Sequence, residues 1–557
     1  MGSVCNGTSS RKENDCNGKI NANSDNPFGN VSYNGRATTY RSSSKGSNQQ
    51  KRSNKNVNRS NIGEDNEDQP FIPTSKEDID KILSALGPGE LFCDPDFPAD
   101  NRALNFSAEG PKTIRWLRPK EILRYGEPQM MVDGLTRDDI KQGQLGDCWF
   151  LSSCAAISQQ EKSIKKVVPR GQVLCGPHYK GIVWFSFWRF GKWVDVFIDD
   201  QLPTVNGDLI YAHCTEPKEF WVALIEKAYA KSHGSYQGLE GGQPMDAMVD
   251  LTGGLTERYD LSPNMYRLIS RAHKSGAFIA CSKKGNWRNS VAADNGLVSG
   301  HAYTITDVKK IYVQDMGEVK LVRIRNPWGD AIEWKGAWAD DDDNWNRVDE
   351  ETKQALGLEA RDDGEFWMAF KDFCHHFEEI TLCLMGPDFD GDGVSDHAGY
   401  MEMVTGSWEV GKTAGGSRND LSLFSTNPQY LLSLSDPDNF NPSTDDAESE
   451  GMCNIVIALM QEHHKSRHNV GAERLQIAFV LYKTNNPTRR LDLKHFESNN
   501  DCGKSGTYIN FREVSSRLDL NPGHYVIIPS AFKPNTHARF MIRVFGEKRF
   551  SLEELLE

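Results

Sequence analysis

Hydrophobic residues along this 557-residue chain fall into two alternating kinds of spacing. Residues 1–60 follow neither: they are rich in Asn, Ser and Gly with almost no apolar periodicity, which predicts a disordered tail over 1–70. Ser75 to Gly110 reads as a lead-in of helix and loop. Helical spacing covers Phe150 to Gln159 and Glu219 to Lys231. Ile182 to Ile198 has strand spacing broken at Phe190-Gly191-Lys192, which predicts a hairpin. Alternation returns from His301 to Val313 and from Glu318 to Arg325, either side of the turn-like Gln314-Asp315-Met316-Gly317. Leu251-Thr252-Gly253-Gly254-Leu255-Thr256 reads as a break, because glycines permit an abrupt chain reversal. After Met385, short strand-like runs recur at Tyr430–Leu434, Cys453–Met460, Leu475–Tyr482, His524–Pro529 and Ala538–Phe545. Runs of that kind, joined by polar loops, predict an antiparallel β-sandwich.

The expected architecture is therefore α+β. A helix-rich half over 71–250 and a strand-rich half over 251–386 meet at a cleft. An acidic linker over 387–399 and a sandwich over 400–557 follow. At 38% hydrophobic, the chain can bury several cores. No run approaches the roughly 18 apolar residues of a membrane span, and the N-terminus lacks the apolar segment of a signal peptide. The 12 cysteines are scattered without a paired framework, which points to a reduced, cytoplasmic setting. Matches such as Asn6-Gly7-Thr8 to a glycosylation pattern then carry no weight. The net charge of −14 disfavours nucleic acid and suits cations. Residues 1–60 hold ten Lys/Arg against three Asp/Glu, so the tail is about +7 and the remainder about −21. Such a tail can touch an acidic lipid surface, although a solvated linker is the plainer reading. Met1-Gly2-Ser3-Val4-Cys5-Asn6 is a weak acylation signal, since Asn6 stands where the pattern wants Ser or Thr.

Chemistry concentrates at Gln142-Gly143-Gln144-Leu145-Gly146-Asp147-Cys148-Trp149. A small-residue turn followed by an apolar run places Cys148 at a helix N-terminus, where the dipole favours a thiolate nucleophile. Gln142 carries an amide that can donate to an oxyanion beside that sulfur. A lone cysteine is more often a core residue, so the case rests on what lies downstream. A hairpin between the two alternating runs brings His301, at the start of one strand, beside Asn326, just past the end of the other. Asn326 can accept from or donate to the imidazole and so fix its tautomer, while Trp328 covers the pair. The order Cys, His, Asn, with His 153 residues after Cys, matches papain-like proteases.

These segments, together with Arg325-Asn326-Pro327-Trp328-Gly329 and Asp363-Gly364-Glu365-Phe366-Trp367, resemble the core motifs of the calpain cysteine proteases. The resemblance runs from about Phe71 to the C-terminus. It implies Cys148 as nucleophile, His301 as general base and acid, Asn326 as orienting residue and Gln142 as oxyanion donor. It also implies a calcium-dependent endopeptidase that makes limited cuts in protein substrates, with the basic tail open to self-cleavage. Two calcium sites follow from the same likeness. One uses Asp139 and Glu219 with the carbonyls of Val132 and Gly134. The other uses Glu333, Asp340 and Asp363 with the carbonyl of Arg361. Arg137 and Glu365 match a pair that links the two halves once calcium is bound.

The sandwich resembles the C2-like domain of that family, which implies calcium-dependent contact with acidic phospholipid. Its acidic loop, Asp436 to Glu450, suits calcium or a basic surface, and equally a solvated loop. Asp388-Phe389-Asp390-Gly391-Asp392-Gly393 opens like an EF-hand loop, but its twelfth position is Gly399 rather than Glu, so it reads as linker. No penta-EF-hand sequence follows the sandwich, so pairing with an EF-hand small subunit is not expected. The competing reading is a non-catalytic, calcium-responsive adaptor built on the C2-like domain; the complete Cys-His-Asn set argues against it.

Overall fold

The computed structural model describes residues 75–107, 113–132, 134–286, 288, 291–388, 390, 395, 397–440, 447–462 and 474–556. The tail read over 1–70 lies outside them, as do parts of the 387–399 linker and of the 436–450 loop. Among the described residues, helix α1 (Lys76–Ala85) comes first, its N-terminus capped by Ser75, whose hydroxyl accepts from the Asp78 amide. Helix α2 (Cys148–Ile157) buries all ten of its residues, as a helix apolar on every side must. Ser152 and Ser153 satisfy their hydroxyls on the Trp149 carbonyl.

Strands β1 (Ile182–Arg189) and β2 (Lys192–Asp199) form the expected hairpin, paired from Ile182↔Asp199 to Arg189↔Lys192. Phe190 and Gly191 both take positive φ, 43° and 90°, in a turn whose twist matches the strands. Helices α3 (Trp221–Ser232) and α4 (Pro244–Thr252) complete this half. Gly253 ends α4 in the left-handed region at φ 66°, so the reversal between halves falls at Gly253-Gly254.

The second half is built on β3 (Leu255–Asp260), α5 (Tyr266–Lys274), β4 (Phe278–Lys283), β5 (His301–Val313), β6 (Gly317–Arg325), β7 (Glu365–Ala369) and β8 (Glu379–Leu384). Its strands make one antiparallel sheet in the order β7-β6-β5-β4-β8-β3. Strand β4 is buried on both faces. Phe278 and Ala280 join the core of the first half, Ile279 and Cys281 that of the second. This shared strand brings α2 against β4 and β5.

Beyond residue 399 two antiparallel sheets face each other. The strands are β9 (Tyr400–Trp408), β10 (Tyr430–Leu434), β11 (Cys453–Gln461), β12 (Ile477–Thr484), β13 (Gly503–Lys504), β14 (Glu513–Leu520), β15 (Gly523–Ala531), β16 (Ala538–Gly546) and β17 (Phe550–Glu554). They order as β9-β16-β11-β14 and β13-β12-β15-β10-β17 around a core that includes Trp408, Ile457, Phe479 and Ile527. The sandwich grips the chain around the reversal. Arg512 binds Asp250 on α4, Arg543 donates to the carbonyls of Gly253 and Gly254, and Arg517 binds Glu257 on β3. No helix among the described residues is long and apolar enough to cross a membrane.

Candidate active site

Cys148 is the first residue of α2, and the backbone N–H of Ala302, the residue after His301, lies near enough to its sulfur to favour the thiolate. The site is thus assembled across the two halves. Thr304, three residues along β5 from His301, donates its hydroxyl to the Ser152 carbonyl inside α2, at 2.7 Å.

His301 and Asn326 come together through the β5–β6 hairpin, whose register is set by Val313↔Gly317 at the turn and shifts once, between Ile305 and Asp307. His301 Nε2 lies 2.8 Å from Asn326 Oδ1. The rest of the amide decides the direction of that bond. Asn326 Nδ2 donates to the Ile332 carbonyl at 3.2 Å, and Oδ1 also accepts the Trp328 N–H at 3.1 Å. With Oδ1 facing the ring, Nε2 carries the hydrogen, and Nδ1 keeps the lone pair for the thiol. Trp328 stands over His301 with ring centroids 5.1 Å apart, and Tyr303 meets the imidazole edge-on at 4.9 Å.

The site is nearly dry: Cys148 is 7% exposed, His301 3% and Asn326 0%. That dryness opposes the thiolate that the helix N-terminus favours. Burial pushes the Cys148 thiol up to about 12, outweighing the Ala302 N–H and the helix N-terminus. Burial likewise pulls His301 down to about 4, against its bond to Asn326. Burial thus favours the neutral thiol and the neutral imidazole.

Gln142 is held near the nucleophile, but its amide is engaged. Its backbone N–H donates to the Pro327 carbonyl at 3.0 Å. Nε2 donates to the Leu145 carbonyl at 2.7 Å and reaches Asp147 at 3.4 Å, while Oε1 is buried without a partner. Donation to an oxyanion therefore requires one of those N–H bonds to be exchanged.

The oxygen ligands expected for calcium lie in two places. Burial pushes all three carboxyls up; Asp340 and Asp363 add to it at Glu333, which reaches about 7, Asp363 adds to it at Asp340, which reaches about 6, and Glu365 and Asp138 add to it at Asp363. The Arg361 N–H donates to Asp340 at 3.3 Å, and Glu333 accepts the Asp363 and Gly364 amides at 3.1 and 2.6 Å. Glu219 and Asp139 each face Cys214, where their charges add to burial in pushing the thiol up. Glu219 takes the Val132 N–H at 2.9 Å, Asp139 is occupied by Thr136 and Trp221, and Gly134 turns with φ 115°. All-oxygen donors of this kind suit a hard divalent cation such as calcium. Among the described residues, however, no three acidic, His or Cys side chains already form a cluster shaped for a metal. The residues fit calcium in chemistry, and their carboxylates must draw closer to hold it. The EF-hand-like opening at Asp388 lies partly outside the described residues.

Arg137 and Glu365 meet across the halves, Nε to Oε1 at 3.0 Å and Nη2 to Oε2 at 3.1 Å. Although burial pushes Glu365 up, the Arg323 and Arg137 guanidiniums hold it below the usual carboxylate range. Three features of the site escaped the reading of the sequence: the Thr304 bond to α2, the Arg323 contribution, and Glu226, whose carboxyl meets Asp147 beneath the nucleophile. Only the last had a visible signal, a carboxylate directly after the apolar run Trp221–Ile225 of a helical segment.

Comparison with known proteins bears on the same segments. Residues 92–384 match the family described as calpain family cysteine protease, and residues 404–545 match calpain large subunit, domain III. The chain is 43% identical to calpain-A of Drosophila melanogaster over 86% of its own length and 58% of that protein's. It is 41% identical to calpain-9 of Mus musculus, covering 88% and 70% of the two chains. With the calpain-2 catalytic subunit of Gallus gallus, identity is 40%, over 83% and 66%. The chain spans 52% to 60% of the length of the fly and nematode calpains it matches.

Proposed function

The chain belongs to the calpain family of cysteine proteases, and from that premise we propose that it is a calcium-regulated cysteine endopeptidase acting through Cys148, His301 and Asn326. The observation that carries this reading is the Asn326–His301 bond, which fixes the Nε2–H tautomer and leaves Nδ1 as a base for the thiol. Proton transfer from Cys148 to Nδ1 frees the sulfur to attack a peptide carbonyl. The oxyanion is received by the Cys148 N–H and by Gln142 once its amide leaves Leu145. His301 then returns the proton to the leaving amine, and water releases the thioester. Trp328 keeps bulk water from the imidazole. Because Cys148 is only 7% exposed, the substrate strand must part the covering residues to reach it.

Calcium, when bound, would neutralise carboxylates that repel one another: Glu333, Asp340 and Asp363 with the Arg361 carbonyl, and Asp139 and Glu219 with the carbonyls of Val132 and Gly134. The Arg137–Glu365 pair would register the two halves. Flexible segments of proteins are the proposed substrates. The sandwich is a proposed contact for acidic phospholipid, within the cytoplasm.

The test is hydrolysis of an unfolded protein by the full chain, with chelator and across a calcium titration, beside a Cys148→Ser control. Calcium-dependent cleavage absent from the control is expected. Equal cleavage with chelator would remove the calcium switch, and no cleavage at any calcium level would favour an adaptor.

A further inference from the structure

Glu226 lies at the middle of α3, a helix whose twelve residues are all buried, and is itself 1% exposed. Two lysines on the same helix have carboxylate partners: Lys227 binds Asp199 at 2.6 Å and Lys231 binds Asp94 at 2.8 Å. Glu226 has no such counter-ion among the described residues. It meets the carboxyl of Asp147, which is 0% exposed and directly precedes Cys148.

Asp147 occupies the N-cap of α2, where an Asp side chain ordinarily accepts a backbone N–H of the first turn. Here it makes no cap bond. Oδ1 takes only the long contact from Gln142 at 3.4 Å, and Oδ2 is buried without any N–H or alcohol donor. Two touching buried carboxyls cannot both ionise, and a proton on one supplies the donor that the other lacks. Glu226 is the side that carries it: burial and the adjoining Asp147 both push its pKa up, and the bond between them favours its protonated form.

The contact closes a ring around the nucleophile loop. Glu226 also accepts the Ala212 N–H, at 3.1 and 3.2 Å to its two oxygens. The neighbouring Ile210 carbonyl accepts the Gln144 N–H at 2.9 Å. Gly143 is pressed so closely on Tyr211 that a Cβ there would stand 2.3 Å from its carbonyl oxygen.

We infer that Glu226 is a positioning residue for Cys148: its protonated carboxyl donates to Asp147 and so locks the Gln142–Cys148 loop against Ile210–Ala212. This inference rests on the reading of Cys148 as the nucleophile. The other groups facing the pair are the Cys148 and Cys154 thiols and the Tyr211 and Tyr236 phenols, with no Lys or Arg among them. Since burial raises both carboxyls, the shared proton is held in acid and lost on the alkaline side. Its loss sets two like charges together without a cation and adds negative charge beside the sulfur.

Glu226→Gln keeps the shape and the donor but cannot lose its proton. The experiment measures the rate of Cys148 alkylation by iodoacetamide in the full chain from about pH 5 to about pH 9, together with kcat and KM on an unfolded substrate. The thiol and the imidazole titrate outside that window, so we expect one departure from the steady rise of thiolate with pH in the wild-type profile, from the carboxyl pair, and none in Glu226→Gln. Glu226→Leu, with its folding checked by circular dichroism, should lose at least about tenfold in kcat with KM little changed. Superposed wild-type and Gln profiles would overturn the inference, as would a Leu variant of wild-type kcat. Failure of the nucleophile reading looks different: alkylation at Cys148 would leave proteolysis intact.

Discussion

Asn326 illustrates how much one buried amide decides. Its Nδ2 is held by the Ile332 carbonyl and its Oδ1 by the Trp328 N–H, so the His301 tautomer follows from the backbone around the amide. Asn326→Ala should lower kcat by at least tenfold, towards the about 10^4 seen when a triad loses its tautomer-fixing member. KM should stay near wild type, and steady-state kinetics would check both. His301 carries a second prediction. Burial holds it neutral down to about 4, against an ordinary value of 6.5. Between those values the unfolded chain binds a proton that the folded chain refuses. Stability should therefore fall as pH drops from about 6.5 to about 4, by up to about 3 kcal/mol from this residue alone. Urea unfolding of His301→Gln across that range should show a shallower slope; an unchanged slope would sink the argument.

The loop from Gln142 to Cys148 is the element on which most depends. Its Gly143 has no room for a side chain, because the obstacle is the Tyr211 backbone rather than a flexible side chain. Gly143→Ala must displace the loop by a large fraction of an ångström. A shift of that size at reacting atoms is worth roughly 100-fold in rate, so kcat should drop by one to two decades. Thermal unfolding should move far less, since the loop adds little to the core. A variant with normal kcat would mean that Gln142 and the Cys148 N–H do not depend on the loop's seat. The hairpin β5–β6 is the more forgiving element: its pairing runs nine residues on one strand, from Gly317 to Arg325, and was plain in the alternation.

Across the whole molecule, the sandwich and the protease halves are joined where the chain reverses. Arg543 is fully buried, gripped by Glu513 and donating to the carbonyls of Gly253 and Gly254 at 2.8 and 3.0 Å. Arg543→Ala strands the Glu513 carboxylate in the interior, which costs about 3–5 kcal/mol. Urea unfolding should read that loss. The same substitution frees the reversal, so the calcium concentration for half-maximal cleavage should also move. If stability fell and the proposed calcium response did not move, the sandwich would be a passive neighbour of the reversal.

Much of this was legible along the chain. Period-two spacing marked the hairpins and the sandwich, helical spacing marked α3, and the small-residue turn before an apolar run set Cys148 at the head of α2. Those are local signals, each carried by residues adjacent in sequence. Electrostatics was not legible in the same way. The dipole at Cys148 can be read from a motif, but the desolvation that overrides it comes from β5, packed on α2 from about 150 residues away. The same holds for Gln142, whose amide is claimed by a carbonyl that the fold turns toward it, and for Glu226, whose proton depends on Asp147 lying opposite. Residue order along the chain set which groups can react and where they stand in it. Their charge is left to the fold, because burial and neighbours brought from distant parts of the chain set it.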